Sequence, residues 1–151
     1  MKKLLFSAVS LDIGGIENAL VNLLNYLART DKYEITLFLE KKEGIFLDKI
    51  DKKIQICVYC PNDSKVIILR KGINFIKQTI FKLKYKHKYD FSCAYATYSK
   101  PASFVARTAS KNSCLWIHSE YMQMFDNNKS KYVEFFEGVK AKEFKNIVFV
   151  S

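Results

Sequence analysis

The chain has 151 residues, 49% of them hydrophobic and 26% charged, with five glycines and two prolines. That apolar share supports one buried core and excludes a disordered chain, and no unbroken apolar run approaches the roughly 20 residues of a membrane-crossing helix. Twenty-five Lys and Arg against 15 Asp and Glu leave a net charge of +10, which points to an anionic partner such as nucleic acid, an acidic membrane surface or a phosphorylated substrate.

The first apolar run, Lys3 to Val9, is shorter than the hydrophobic region of a signal peptide and reads as a buried strand. A helix follows from about Gly15 to Arg29, because Ile16, Leu20, Leu23, Leu24 and Leu27 fall on one stripe. Tyr33–Leu39 and Ile54–Tyr59 are the second and third strands, the latter stopped by Pro61-Asn62-Asp63. A long basic helix is expected over Ser64–Lys88, a fourth strand over Phe91–Ala96 and a helix over Pro101–Ala109, with Pro101 in its first turn. A strand over Ser113–Ile117, a helix over Ser130–Phe144 and a last strand over Asn146–Ser151 complete the pattern.

Strands that are nearly continuous apolar runs, alternating with helices, predict an α/β domain. The expected form is a Rossmann-like parallel sheet with helices on both faces, a single domain over residues 1–151. In such sheets ligands bind beyond the carboxyl ends of the strands. The loops of interest are therefore 10–15, 97–100 and 118–126. A chain that ends as a strand finishes is expected to be the N-terminal piece of a longer protein.

The first of these loops contains Asp12-Ile13-Gly14-Gly15-Ile16-Glu17. Paired glycines before a helix leave bare backbone N–H groups at its positive end, an arrangement suited to a phosphate or diphosphate. The same dipeptide also serves as a tight strand-to-helix turn, and Glu17 fits the role of a helix-start carboxylate. Neither the Gly-x-Gly-x-x-Gly fingerprint nor a P-loop is present. His118 stands at a strand end, where an imidazole can hydrogen-bond a sugar hydroxyl or a phosphate or be an ordinary loop residue. Thr97, Tyr98 and Lys100 follow the fourth strand, where Tyr and Lys can grip a hydroxyl or a phosphate or all three serve as loop residues with Ser99 a helix N-cap. Glu120, Tyr121, Met122 and Met124 read as a flap over the same edge.

Residues 64–88 contain no acidic side chain. Val66, Leu69, Ile73, Ile76, Ile80 and Leu83 trace a stripe expected to pack on the sheet, leaving Phe75, Phe81 and Tyr85 among the lysines. Lys71, Phe75, Lys82, Lys84 and Tyr85 are then the expected contacts with an anionic membrane surface, the alternative being a solvated basic face. Cys57-x-x-Cys60 lacks a second ligand pair, so no metal site is expected. With no export signal, the four cysteines read as reduced thiols and the location as cytoplasmic, peripheral on the inner membrane face.

The run Gly14-Gly15-Ile16-Glu17-Asn18-Ala19-Leu20, the strand Cys114-Leu115-Trp116-Ile117 ending in His118, and the closing strand Asn146–Ser151 resemble the N-terminal domain of family 4 glycosyltransferases, retaining bacterial enzymes of the GT-B fold that build surface polysaccharides. The resemblance spans the whole chain. It implies a two-domain enzyme that moves a sugar from a nucleotide-sugar, its substrate rather than a cofactor, to a lipid-linked or glycan acceptor. It further implies that Gly14 and Gly15 border the donor diphosphate, that His118 holds the catalytic position facing the transferred sugar or the acceptor, and that Thr97, Tyr98, Lys100 and Glu120 are acceptor-binding. The family's paired-glutamate motif belongs to the second domain and does not occur here, so this chain alone is not expected to catalyse transfer. Two other readings stand beside it, a non-enzymatic polyanion-binding module and a stand-alone nucleotide-binding domain. No nucleic-acid recognition motif supports the first.

Overall fold

In the computed structural model, which describes residues 1–150, strand side chains divide between two faces of one sheet. Leu4 and Phe6 of β1 (Lys2–Ala8) pack with Leu20, Val21 and Leu24 of α1 (Gly15–Arg29). Leu5, between them, points the other way and meets Phe38, Phe81 and Val105. After α1 come β2 (Tyr33–Leu39), β3 (Gln55–Val58), α2 (Ile67–Tyr85), β4 (Phe91–Ala94), α3 (Lys100–Ala109) and β5 (Ser113–Ile117). The short helix α4 (Tyr121–Met124), α5 (Lys129–Gly138) and β6 (Asn146–Phe149) complete the described chain.

The sheet is six-stranded, in the order β3-β2-β1-β4-β5-β6, and every pairing is parallel. The expected α/β architecture is therefore present. The order reverses between β1 and β4, where the chain first runs outward to β3 and then crosses back. Crevices open at the carboxyl ends of strands at such a switch point. Buried serines fasten α3 beneath it: Ser7 Oγ donates to the Ala102 carbonyl at 2.8 Å and Ser92 Oγ to that of Ala106 at 2.6 Å.

Helix α2 departs from expectation. Its stripe of Leu69, Ile76, Ile80 and Leu83 faces solvent, Leu83 being 78% exposed. The rings expected outside turn inward instead. Phe81 is buried, with centroids 5.4 Å from Phe38, 5.1 Å from Tyr59 and 5.6 Å from Phe104, and half-buried Tyr85 lies 5.2 Å from Phe38. Tyr85 is thus a packing residue rather than a membrane-facing one. The reason is the size of the surface offered to the helix. β3 is a four-residue edge strand, so only the C-terminal half of α2 meets the sheet, and two aromatic rings bury more area there than aliphatic side chains do. Phe75, Lys71, Lys82 and Lys84 remain exposed.

The helix expected over residues 130–144 is interrupted. α5 stops at Gly138 and Lys140 adopts a left-handed φ of 55°, after which a single turn, Ala141–Glu143, leads into β6. Strands β3 and β4 are each two residues shorter than expected, a difference confined to element ends. Ser151, the last residue of the expected closing strand, lies outside the described residues.

Candidate functional site

The loop after β1 is held in place from beside it. Leu11 is fully buried, its N–H donates to the Glu43 carbonyl at 2.9 Å, and its own carbonyl accepts from Phe46 N–H at 3.1 Å. Gly44 makes this possible, with a φ of 121° and a backbone so close to Leu11 that any Cβ would overlap it. The clamped loop delivers Gly14 in an extended conformation as the N-cap of α1.

Gly14 and Gly15 do different work. A Cβ on Gly14 would collide with the Glu17 carboxylate, which folds back over it at the positive end of α1. Gly15 has no atom near the Cβ it lacks, so the backbone there is open to a ligand. The mouth of the helix therefore already carries an anion of its own, and a phosphate arriving there has to displace Glu17.

His118, just after β5, is close enough to that mouth for the Glu17 charge to act on it. Its Nε2 lies 3.0 Å from the Tyr95 carbonyl, so Nε2 carries the proton and Nδ1 of the neutral ring is an acceptor. Tyr95 packs against the imidazole at 4.5 Å, and Trp116 stacks parallel to it at 6.0 Å and 8°. Burial lowers the His118 pKa below its ordinary value, while the Tyr95 carbonyl and the Glu17 charge oppose that shift. Glu17 also acts on Tyr98, whose phenol is pushed up chiefly by burial and then by the charges of Glu17, Tyr121 and Glu40. One carboxylate thus acts on groups from β5 and from the loop after β4. Gly14, Gly15, Glu17, Tyr98 and His118 therefore gather around the carboxyl ends of the strands. A neutral imidazole with a free Nδ1 can accept a hydrogen bond or a proton from a hydroxyl, and the half-exposed Tyr98 can donate one.

The remaining predicted residues go elsewhere. Thr97 is 1% exposed, and its hydroxyl is committed to the Trp116 carbonyl and to Tyr121, so it fastens α4 and β5 rather than meeting an acceptor. Ser99 is the N-cap of α3, accepting from Ala102 N–H at 2.8 Å while donating to the Glu40 carboxylate. Lys100 extends away from the crevice toward α5, reaching Gly138, and with Tyr98, Phe125 and Phe135 it borders a cavity of about 290 Å³. Glu120 lines a separate cavity of about 200 Å³ beside Tyr132 and Phe149. Of the flap residues, Tyr121 is buried, with its ring 4.5 Å from that of Phe135, and Met124 is exposed.

Sequence reasoning missed Glu40 and Gly44. Glu40 had a usable signal, since it directly follows β2 at the carboxyl edge of the sheet. Gly44 had none, because its neighbour Leu11 is distant in sequence. Among the described residues, no group of His, Cys, Asp and Glu side chains is arranged to hold a metal ion. No family model matches the chain, and no curated protein matches it in sequence.

Proposed function

We propose that this chain is the acceptor-binding half of a GT-B glycosyltransferase, which transfers a hexosyl unit from a nucleotide-sugar to a lipid-linked or surface glycan with retention of configuration. The observation that carries the reading is that the open Gly15 backbone, Tyr98 and His118 stand on the segments that follow β1, β4 and β5 beside the switch point of a 3-2-1-4-5-6 sheet, with the Glu17 charge acting on both side chains. On this reading the donor diphosphate approaches Gly15 as Glu17 swings aside, and His118 receives a hydroxyl of the transferred sugar or the acceptor. The main grip on the nucleotide belongs to a second domain.

The reading is tested by titrating nucleotide-sugars into the ¹⁵N-labelled chain. The expected result is shifts at Gly14, Gly15 and His118 that His118→Asn weakens. On this reading transfer requires a second, donor-binding domain. Nucleotide-sugar binding that His118→Asn leaves intact would overturn the assignment of the crevice and leave the stand-alone nucleotide-binding domain in its place.

Helix α2 adds a peripheral element. Ile68, Leu69, Phe75, Ile76, Ile80 and Leu83 are all more than half exposed, flanked by Lys71, Lys77, Lys82 and Lys84. An apolar face edged with lysines suits an anionic bilayer surface, where each basic residue contributes about 1 kcal/mol. Cosedimentation that rises with phosphatidylglycerol content and falls with salt is the expected outcome.

A further inference from the structure

Helices α2, α3 and α5 lie on one side of the sheet, and the residues they turn toward one another share a charge. On α3, Lys100, Phe104 and Arg107 follow at spacings of four and three and form one ridge, and on α2 Gln78 and Lys82 lie four apart, with Lys86 the C-cap of that helix. The segment after α5 supplies Lys140 and Glu143. Together they enclose a groove of about 470 Å³, within the range of small-molecule sites. It runs from Lys100, at the start of α3, to His87 and Thr108, beyond the ends of α2 and near the end of α3, and so lies apart from the crevice of Gly15 and His118.

Five cationic side chains line this groove against one carboxylate. Glu143 is already engaged, accepting from Arg107 and lying 3.1 Å from Lys140. Burial alone would raise the Glu143 carboxyl, but Lys140 and Arg107 hold it below its ordinary value. Lys82, Lys86 and Lys100 have no such partner among the described ion pairs. The side chain of Arg107 is only 13% exposed, yet its Nε is buried without a hydrogen-bond partner. Gly138 lets the end of the Lys100 side chain lie close against the backbone of α5, where a Cβ would stand 2.9 Å from Cε of Lys100. Like charges held around a concavity are what an anion with several negative groups relieves.

We propose that this groove binds a ligand bearing two linked phosphate groups, one meeting Arg107 at the floor and the other meeting Lys86 and Lys140 at the rim. The groove is independent of the sugar-transfer reading, because it shares no residue with the crevice. The same chemistry belongs to a free diphosphate compound and to a bisphosphorylated lipid headgroup, so the experiment has an arm for each.

Inorganic pyrophosphate is titrated into the ¹⁵N-labelled chain at constant ionic strength, with inorganic phosphate as the comparison. The expected result is saturable shifts at Lys86, Arg107, Gly138 and Lys140, with pyrophosphate about tenfold tighter than phosphate. The double variant Lys86→Gln/Lys140→Gln, at two exposed side chains, weakens binding at these residues about tenfold or more, whereas Lys52→Gln, at an exposed lysine outside the groove, leaves it unchanged. In the second arm, phosphatidylcholine vesicles with and without phosphatidylinositol bisphosphate are sedimented with the chain. Binding that depends on the bisphosphate lipid and on Lys86 and Lys140, and that pyrophosphate displaces, assigns the groove to a headgroup. Binding of pyrophosphate with no lipid preference assigns it to a soluble ligand. Absence of saturable binding in both arms, or binding that the double variant leaves intact, overturns the proposal.

Discussion

Replacing Phe81 by Ala tests how α2 sits on the sheet. Phe81 is 4% exposed and is the one buried residue of a helix of 19. Truncating a buried Phe costs about 3–5 kcal/mol. Here the ring also lies 4.9–5.6 Å from Phe38, Tyr59, Tyr85 and Phe104, and such pairs add about 0.5–1.5 kcal/mol each beyond burial. Against this, α2 lies over the sheet edge and can settle into the space left, so about 3 kcal/mol is the expected loss. Leu83→Ala, on a side chain 78% exposed, is expected to stay within about 0.5 kcal/mol. Urea unfolding read by both circular dichroism and Trp116 fluorescence separates the two. In F81A the helical signal falls at lower urea than the Trp116 signal, because α2 loosens while the strands hold. A loss above about 2 kcal/mol for L83A, with less than about 1 for F81A, would refute this orientation and return the aliphatic stripe to the sheet.

Four further outcomes follow from the geometry of the crevice and the thiols. Gly44→Ala is expected to lose about 1–3 kcal/mol by thermal unfolding, since the left-handed backbone and the Leu11 overlap act together. Gly15→Ala, with open space around it, should fold normally while weakening any ligand at the helix mouth. The His118 pKa is lower in the folded chain than in the unfolded one, so its stabilising contribution is complete above about pH 6.5 and fades as pH falls below that. The stability gap between wild type and His118→Asn should therefore narrow in urea melts between about pH 7.5 and pH 5, and a gap that widens contradicts the burial of the imidazole. Thiol titration should find Cys60 fast and Cys57 slower, since burial raises its pKa, with Cys93 and Cys114 reacting only on unfolding.

The sheet was legible because each strand announced itself locally. Tyr33–Leu39 and Ser113–Ile117 match the observed strands residue for residue, and α1 begins and ends as its apolar stripe requires. Periodicity located α2 but misassigned its rotation. A helix carrying two apolar faces leaves the choice between them to whatever it packs on, and that surface is made by Phe38, Tyr59 and Phe104, which lie on other elements. The break in α5 was hidden for a related reason. Its residues keep the composition of a helix through Phe144, and the stop lies in the backbone of Lys140 and in the packing of Val139 and Phe144 against Ala106 and Leu115.

The candidate site was legible at the level of loops and not of side chains. Gly14, Gly15, Tyr98 and His118 could be nominated from strand ends alone, because a parallel sheet brings every such end to one edge. Thr97 and Glu17 show what that rule cannot decide. Thr97 stands at the same edge yet spends its hydroxyl on the Trp116 carbonyl, since a buried donor in a tight turn bonds the nearest acceptor before any ligand arrives. Glu17 reads as a routine first-turn carboxylate, but over a glycine it can lie back across the helix mouth, and only the absent Cβ of Gly14 allows it. The dipeptide that bares the backbone to an anion therefore also admits the carboxylate that competes with it. On the proposed function, the affinity of this mouth for phosphate would be set by the balance between that internal anion and the incoming one, and a phosphate that displaces Glu17 is expected to change the charge acting on His118.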